Sequence, residues 1–117
     1  MHKINVYGIP NCDVTKTALD WFKKNNIAVE FHDYKKEGIT KTKLQAWSKT
    51  VGWETLLNKR GTTWKAIDSS EQEKIITEQA AIQFMMENKS SIKRPVVEAK
   101  DEILVGFKEA QYTNYFK

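Results

Sequence analysis

The first 33 residues narrow the fold most, because their patterns run strand, broken loop, amphipathic helix, strand. Ile4 and Val6 alternate with Asn5 and Tyr7, which predicts a strand over 4–7. Gly8 and Pro10 disfavour its continuation, so 8–11 reads as a loop. Val14, Ala18, Trp21 and Phe22 then recur on one face of a helix running from about Asp13 to Lys24. Asn25-Asn26 is a natural stop, since Asn tolerates left-handed geometry. Over 29–33, Val29 and Phe31 point to one side of a second strand and Glu30 and His32 to the other. Two such strands lying parallel require a right-handed crossover. The loop before the helix then falls at the carboxyl edge of the sheet, where open α/β folds place ligands.

The middle of the chain changes character. From about 40 to 88 the patterns are helical. Leu44, Trp47 and Val51 mark one face, and Trp53, Leu56 and Leu57 a short second helix. Gly61-Thr62-Thr63 breaks the run, with Trp64 and Ile67 as buried anchors beyond it. Ser69 or Ser70 is the expected cap of the next segment, and Ile75, Ile76, Ala80, Ile82, Phe84 and Met86 line a longer helical region. Strands return after Pro95: Val96-Val97, a turn at Lys100-Asp101 or Asp101-Glu102, then Ile103-Leu104-Val105 before Gly106. A last helix carries Ala110, Tyr112, Tyr115 and Phe116 toward the core. The expectation is one α/β domain over 1–117, β-α-β then β-β-α around a mixed sheet, with a helical insertion at 40–88 too small to stand alone.

Composition excludes several classes. No apolar run approaches the roughly 20 residues that span a bilayer, and Met1-His2-Lys3-Ile4-Asn5 turns polar too early for a signal peptide. No membrane association is expected, and the lone cysteine fits a reducing cytoplasmic setting. The net charge is +4, but Lys35-Lys36 and Lys41 to Lys43 are short clusters that read as solvated surface, so direct nucleic-acid binding is not expected. His2 and His32, taken with Cys12, have the wrong spacing for a compact metal site. Neither a metal nor a nucleotide is expected, and His32 reads as a structural hydrogen-bonding residue.

Cys12 follows the Gly8-Ile9-Pro10-Asn11 loop and precedes the helical stripe. At that point the first helical N–H groups lack internal partners, and the aligned peptide dipoles favour negative charge. Both lower a thiol's pKa, whereas Asp13 opposes ionisation if its carboxylate is near. The residue three after Cys12 is Thr15, where a dithiol centre would carry a second thiol. Any redox cycle must therefore use an external thiol. Thr15 either donates to the sulfur or bonds locally, and Asn11 either positions the cysteine loop or caps the helix.

Four segments taken together resemble the arsenate reductase-like family: Tyr7-Gly8-Ile9-Pro10-Asn11-Cys12-Asp13, Phe31-His32-Asp33-Tyr34-Lys35, Leu57-Asn58-Lys59-Arg60-Gly61-Thr62-Thr63-Trp64 and Ile92-Lys93-Arg94-Pro95-Val96. The resemblance spans nearly the whole chain. It is nearest to the family's branch of small bacterial proteins without an assigned substrate, rather than to proven arsenate reductases. The family also includes redox-responsive regulators that bind bacterial RNA polymerase. The resemblance implies a thioredoxin-like fold with a helical insertion. It implies Cys12 as the nucleophile, Arg60 and Arg94 as oxyanion-binding arginines, and a cis bond at Pro95 beside the cysteine. Where proven arsenate reductases carry a third arginine, this chain has Phe107, either an apolar wall for a thiol ligand or a core residue.

From this the leading expectation is a glutathione-dependent thiol reductase or thiol transferase. Its catalytic set is Cys12, Arg60 and Arg94, and its substrate contacts include Asn11, Thr15, Pro95 and Phe107. Glutathione is the expected co-substrate, a small thiol or oxyanion the substrate, and glutaredoxin a candidate partner. Two alternatives stand beside it: a regulatory module that binds RNA polymerase, and a glutaredoxin-linked arsenate reductase.

Overall fold

In the computed structural model, which describes residues 3–117, the opening pattern becomes β1 (Asn5–Gly8), α1 (Asp13–Lys24) and β2 (Glu30–Asp33). The two strands pair in parallel, with Val6 opposite Phe31 and Gly8 opposite Asp33. Helix α1 has Asp13 in its first turn and Lys23 and Lys24 in its last, each suited to the dipole at its end. It stops where Asn25 Nδ2 donates to the Trp21 carbonyl (2.8 Å) and Asn26 turns to a φ of 57°.

The buried arc of α1 is Thr15, Ala18, Trp21 and Phe22. Val14, expected on that face, is instead 44% exposed. The arc centres on Thr15, Ala18 and Phe22, so Val14 falls at its margin in the first turn, beside the loop. A helical turn that was not expected, α2 (Tyr34–Glu37), follows β2 directly. Asp33 starts it, its carboxylate accepting the N–H groups of Lys35 and Lys36.

The chain divides into two compact units, one formed by the residues up to Glu37 together with Arg94–Lys117, the other by Gly38–Lys93. The expected insertion at 40–88 falls inside the second. That unit is helical: α3 (Lys41–Val51), α4 (Trp53–Leu56), α5 (Thr62–Lys65), α6 (Ser69–Gln72), α7 (Glu78–Glu87) and a 3-10 turn at Lys89–Ser91. Thr40 caps α3, its hydroxyl accepting from the Lys43 N–H at 3.1 Å. Leu44 and Trp47 are buried along α3, and Trp64 meets Phe84 edge-on at 5.6 Å. An antiparallel bridge joins Leu57 to Ile92.

Two expectations for this unit are corrected. Asp68, not Ser69 or Ser70, occupies the cap position of α6, because the first helical bonds return to its carbonyl. The helical stripe expected from Ile75 is interrupted: Thr77 caps a fresh helix at α7, so the helical phase restarts there. Ile75 is buried but Ile76 is 71% exposed, and Met85 rather than Met86 faces inward.

The first unit resumes with β3 (Val96–Glu98), β4 (Ile103–Val105) and α8 (Glu109–Phe116). β3 pairs antiparallel with both β1 and β4, giving a mixed sheet in the order β2-β1-β3-β4. The β3–β4 turn is closed by the Ala99 N–H on the Glu102 carbonyl (2.9 Å), which puts Lys100-Asp101 at its tip. This α/β arrangement is a thioredoxin-like fold. Its core is Val6, Ala18, Trp21, Phe22, Val97, Leu104 and Tyr112, with Tyr115 and Phe116 packed on it, so the last helix docks as expected. The Tyr112 hydroxyl is carried into that core, where it donates to the Gly106 carbonyl at 2.8 Å. No helix among the described residues is long and apolar enough to cross a membrane.

Candidate active site

Cys12 stands at the N-cap of α1 with extended backbone (φ −94°, ψ 124°). Its N–H donates to the Ile9 carbonyl (3.1 Å) and its carbonyl accepts the first helical bond, from Lys16 (2.9 Å). The cap position therefore belongs to the cysteine and not to Asn11, which is exposed. Helix α1 begins one residue later than an Asn11 cap requires. Pro10 is also exposed and Cys12 is half-buried.

Burial pushes the Cys12 thiol up, but four favourable interactions with the thiolate outweigh it. They come from the Thr15 N–H, the Arg94 guanidinium, the Thr15 hydroxyl and the Val14 N–H. Together they bring the thiol down from an ordinary 9.0 to about 7. Two of the four are the free N–H groups of the first turn of α1. Thr15 is completely buried and its hydroxyl has no partner within hydrogen-bond geometry. Gly8 leaves the room that the Thr15 side chain occupies, because a Cβ there would lie 2.8 Å from Thr15 Oγ1.

Arg94 reaches the sulfur from the other end of the chain. It immediately precedes Pro95 through a cis peptide bond, as the resemblance implies. Pro95 is buried and leads into β3, which pairs with β1 from Val96 opposite Tyr7. Burial pulls the Arg94 guanidinium's pKa down, but its bonds to Cys12 and to Tyr34 outweigh that and hold it raised. Tyr34, the first residue of α2, is completely buried. Burial drives its phenol up to about 12 against the opposing pull of Arg94. Sequence reasoning gave Tyr34 no role. The only signal was a large aromatic directly after a strand end, which does not distinguish core packing from site chemistry.

Arg60 lies in the helical unit, exposed, in the turn between α4 and α5. Its N–H donates to Asn58 Oδ1 (3.1 Å), and neighbouring Lys59 lies over the rings of Trp53 and Trp64. Phe107 packs edge-on against Tyr112 at 4.7 Å and lines a groove with Thr17, Asp20, Trp21, Lys24 and Glu109. His32 plays a structural part on β2, with Nε2 3.0 Å from Asn5 Oδ1, Nδ1 3.3 Å from Glu37 and the ring stacked on Tyr7. Among the described residues, no group of three or more His, Cys, Asp and Glu is placed to hold a metal ion; His2 lies outside those residues.

Comparison with known proteins agrees with this geometry. The model of the ArsC family matches residues 7–115. An uncharacterized protein of Haemophilus influenzae is 37% identical over 97% of this chain and 98% of its own length. The solved structure of a protein described as YFFB superposes with a TM-score of 0.90 at 39% identity, covering 96% of this chain and 97% of that one. An arsenate reductase (ArsC) related protein from Brucella melitensis gives a TM-score of 0.79 at 42% identity, over 98% and 95%. These matches favour the oxyanion-reducing alternative over a glutathione-specific thiol transferase, and the RNA-polymerase-binding branch finds no support in them.

Proposed function

The chain belongs to the ArsC family, and from that premise we propose that it is a thiol-based oxidoreductase of arsenate-reductase type, with Cys12 as its nucleophile. The observation that carries this reading is the guanidinium of Arg94 bonded to a sulfur that two N–H groups of α1 also face. With a pKa of about 7, close to half of Cys12 is thiolate near neutrality. The thiolate attacks arsenic, a sulfur–arsenic bond forms, and one oxygen leaves as water after taking up a proton. Arg94 sits where negative charge collects in that step and donates to it. The chain has a single cysteine, so the two electrons that take As(V) to As(III) come from two external thiols, which leave joined as a disulfide, and water then displaces Cys12 from As(III), releasing arsenite and restoring the thiol. Glutathione and glutaredoxin are the thiols we assign to those places. The resemblance gives Arg60 a share in holding the oxyanion, and Pro95 and Asn11 a share in shaping the approach.

A second reading rests on Phe107. An apolar ring stands where the resemblance puts a third arginine, which weakens oxyanion binding and favours an organic disulfide. The thiolate would then attack one sulfur of a glutathione disulfide, forming a mixed disulfide at Cys12 and releasing one glutathione thiolate. A further external thiol would restore Cys12.

One experiment separates the two readings. Purified protein is assayed with arsenate, glutathione and glutaredoxin, and in parallel exposed to glutathione disulfide and analysed by mass. Arsenite formation that is lost in Cys12→Ser and reduced in Arg94→Gln and Arg60→Gln supports the first. A Cys12-dependent glutathione adduct that turns over, with no arsenite, supports the second. Arsenate turnover that persists in Cys12→Ser overturns the mechanism.

A further inference from the structure

We propose that Tyr34 is a positioning residue, a neutral buried anchor that holds the Arg94 guanidinium against Cys12 without taking up its positive charge. This rests on the reading of Cys12 as the reactive thiol. The backbone alone brings the three residues to one edge of the sheet. Gly8 ends β1 and leads through the loop to Cys12, and Asp33, opposite Gly8, ends β2 and leads directly to Tyr34. Val96, opposite Tyr7, begins β3 two residues after Arg94.

The side chains complete the arrangement. Arg94 donates to the Tyr34 phenol and to the Cys12 sulfur. A guanidinium is a rigid planar fan of donors, so fixing one part of the fan aims the rest. The acceptor's chemistry then matters. A carboxylate in that place would hold Arg94 more strongly, but it would form an ion pair and cancel the charge that stabilises the thiolate. A phenol accepts the bond and stays neutral throughout the working range, and burial pushes Tyr34 further from ionisation. Tyr34 is completely shielded from water, so no solvent competes for the bond.

The test compares wild type with Tyr34→Phe, which keeps the ring and removes only the acceptor. Thiolate absorbance is titrated against pH. Alkylation rates are measured with iodoacetate, an anion, and iodoacetamide, its neutral counterpart. The wild-type titration judges the reactive-thiol reading, and the difference between the two proteins judges Tyr34. We expect the thiolate fraction at neutral pH to fall about two- to fivefold in Tyr34→Phe. The preference for iodoacetate over iodoacetamide should fall with it. In an Arg94→Gln background the same substitution should change neither, because the group through which Tyr34 acts is gone. An unchanged titration and reagent preference in folded Tyr34→Phe overturns the proposal, as does an undiminished effect in the Arg94→Gln background. If Tyr34→Phe does not fold, the order parameter of the Arg94 side chain in 15N-labelled wild type decides. A rigid guanidinium supports the anchor and a freely averaging one refutes it.

Discussion

Gly8→Ala should damage both the stability of the protein and the chemistry of Cys12, through one contact. A Cβ on Gly8 would lie 2.8 Å from Thr15 Oγ1 and 2.9 Å from Thr15 Cγ2. Both Thr15 branches are therefore in the way, and Thr15 is fully buried in the first turn of α1. Overpacking of this kind costs about 1–3 kcal/mol. Replacing a strand glycine by alanine returns about 0.5–1 kcal/mol of backbone entropy. The net loss should centre on about 1 kcal/mol, a fall in Tm of roughly 3–6 °C for a chain of this size. Because Thr15 lowers the thiol's pKa through both its N–H and its side chain, displacing it should also make Cys12 titrate above its wild-type value of about 7. Thiolate absorbance and thermal melting report the two effects on the same samples. Thr15→Ala removes both offending atoms, so the double variant should be at least about 1 kcal/mol more stable than the sum of the single effects. A Gly8→Ala protein that melts with wild type, or strictly additive single and double variants, would refute the reasoning.

Two further outcomes follow from the same geometry. Cys12 is held at about 7 in the folded protein against an ordinary 9.0. Between those values the unfolded chain binds more protons than the folded one, so stability should rise with pH across that window, be fully gained above it and be lost as pH falls through 7. Denaturant melts of wild type and Cys12→Ser at several pH values check this, and a slope that persists in Cys12→Ser assigns it elsewhere. In the core, Tyr112→Phe removes the 2.8 Å bond to the Gly106 carbonyl. It should cost about 1–2 kcal/mol by denaturant melting while leaving the Cys12 titration unchanged.

Local pattern was a good guide wherever one element could be read by itself. The limits of α1, the stop at Asn25-Asn26, the strands on either side and the closing hairpin all follow from periodicity and from residues with strong backbone preferences. The misreadings occur where a neighbour decides. Ile76 fits a helical stripe by type and is nonetheless exposed, because Thr77 restarts the helix. Val14 fits the buried face of α1 but lies at its margin, because the completely buried Thr15 stands nearer the centre of that arc.

The sequence by itself determined that a cysteine would stand at the start of a helix behind a Gly-Pro loop, since both features are local and chemical. It also determined that any redox cycle needs outside thiols, since the chain has no second cysteine. Only the tertiary structure decided what surrounds the sulfur. Arg94 comes to Cys12 from the distant end of the chain because β3 pairs antiparallel with β1, and Tyr34 joins them because β2 pairs with β1 in parallel. Strand register is a long-range choice set by the burial of whole sheet faces. No short stretch of residues carries it.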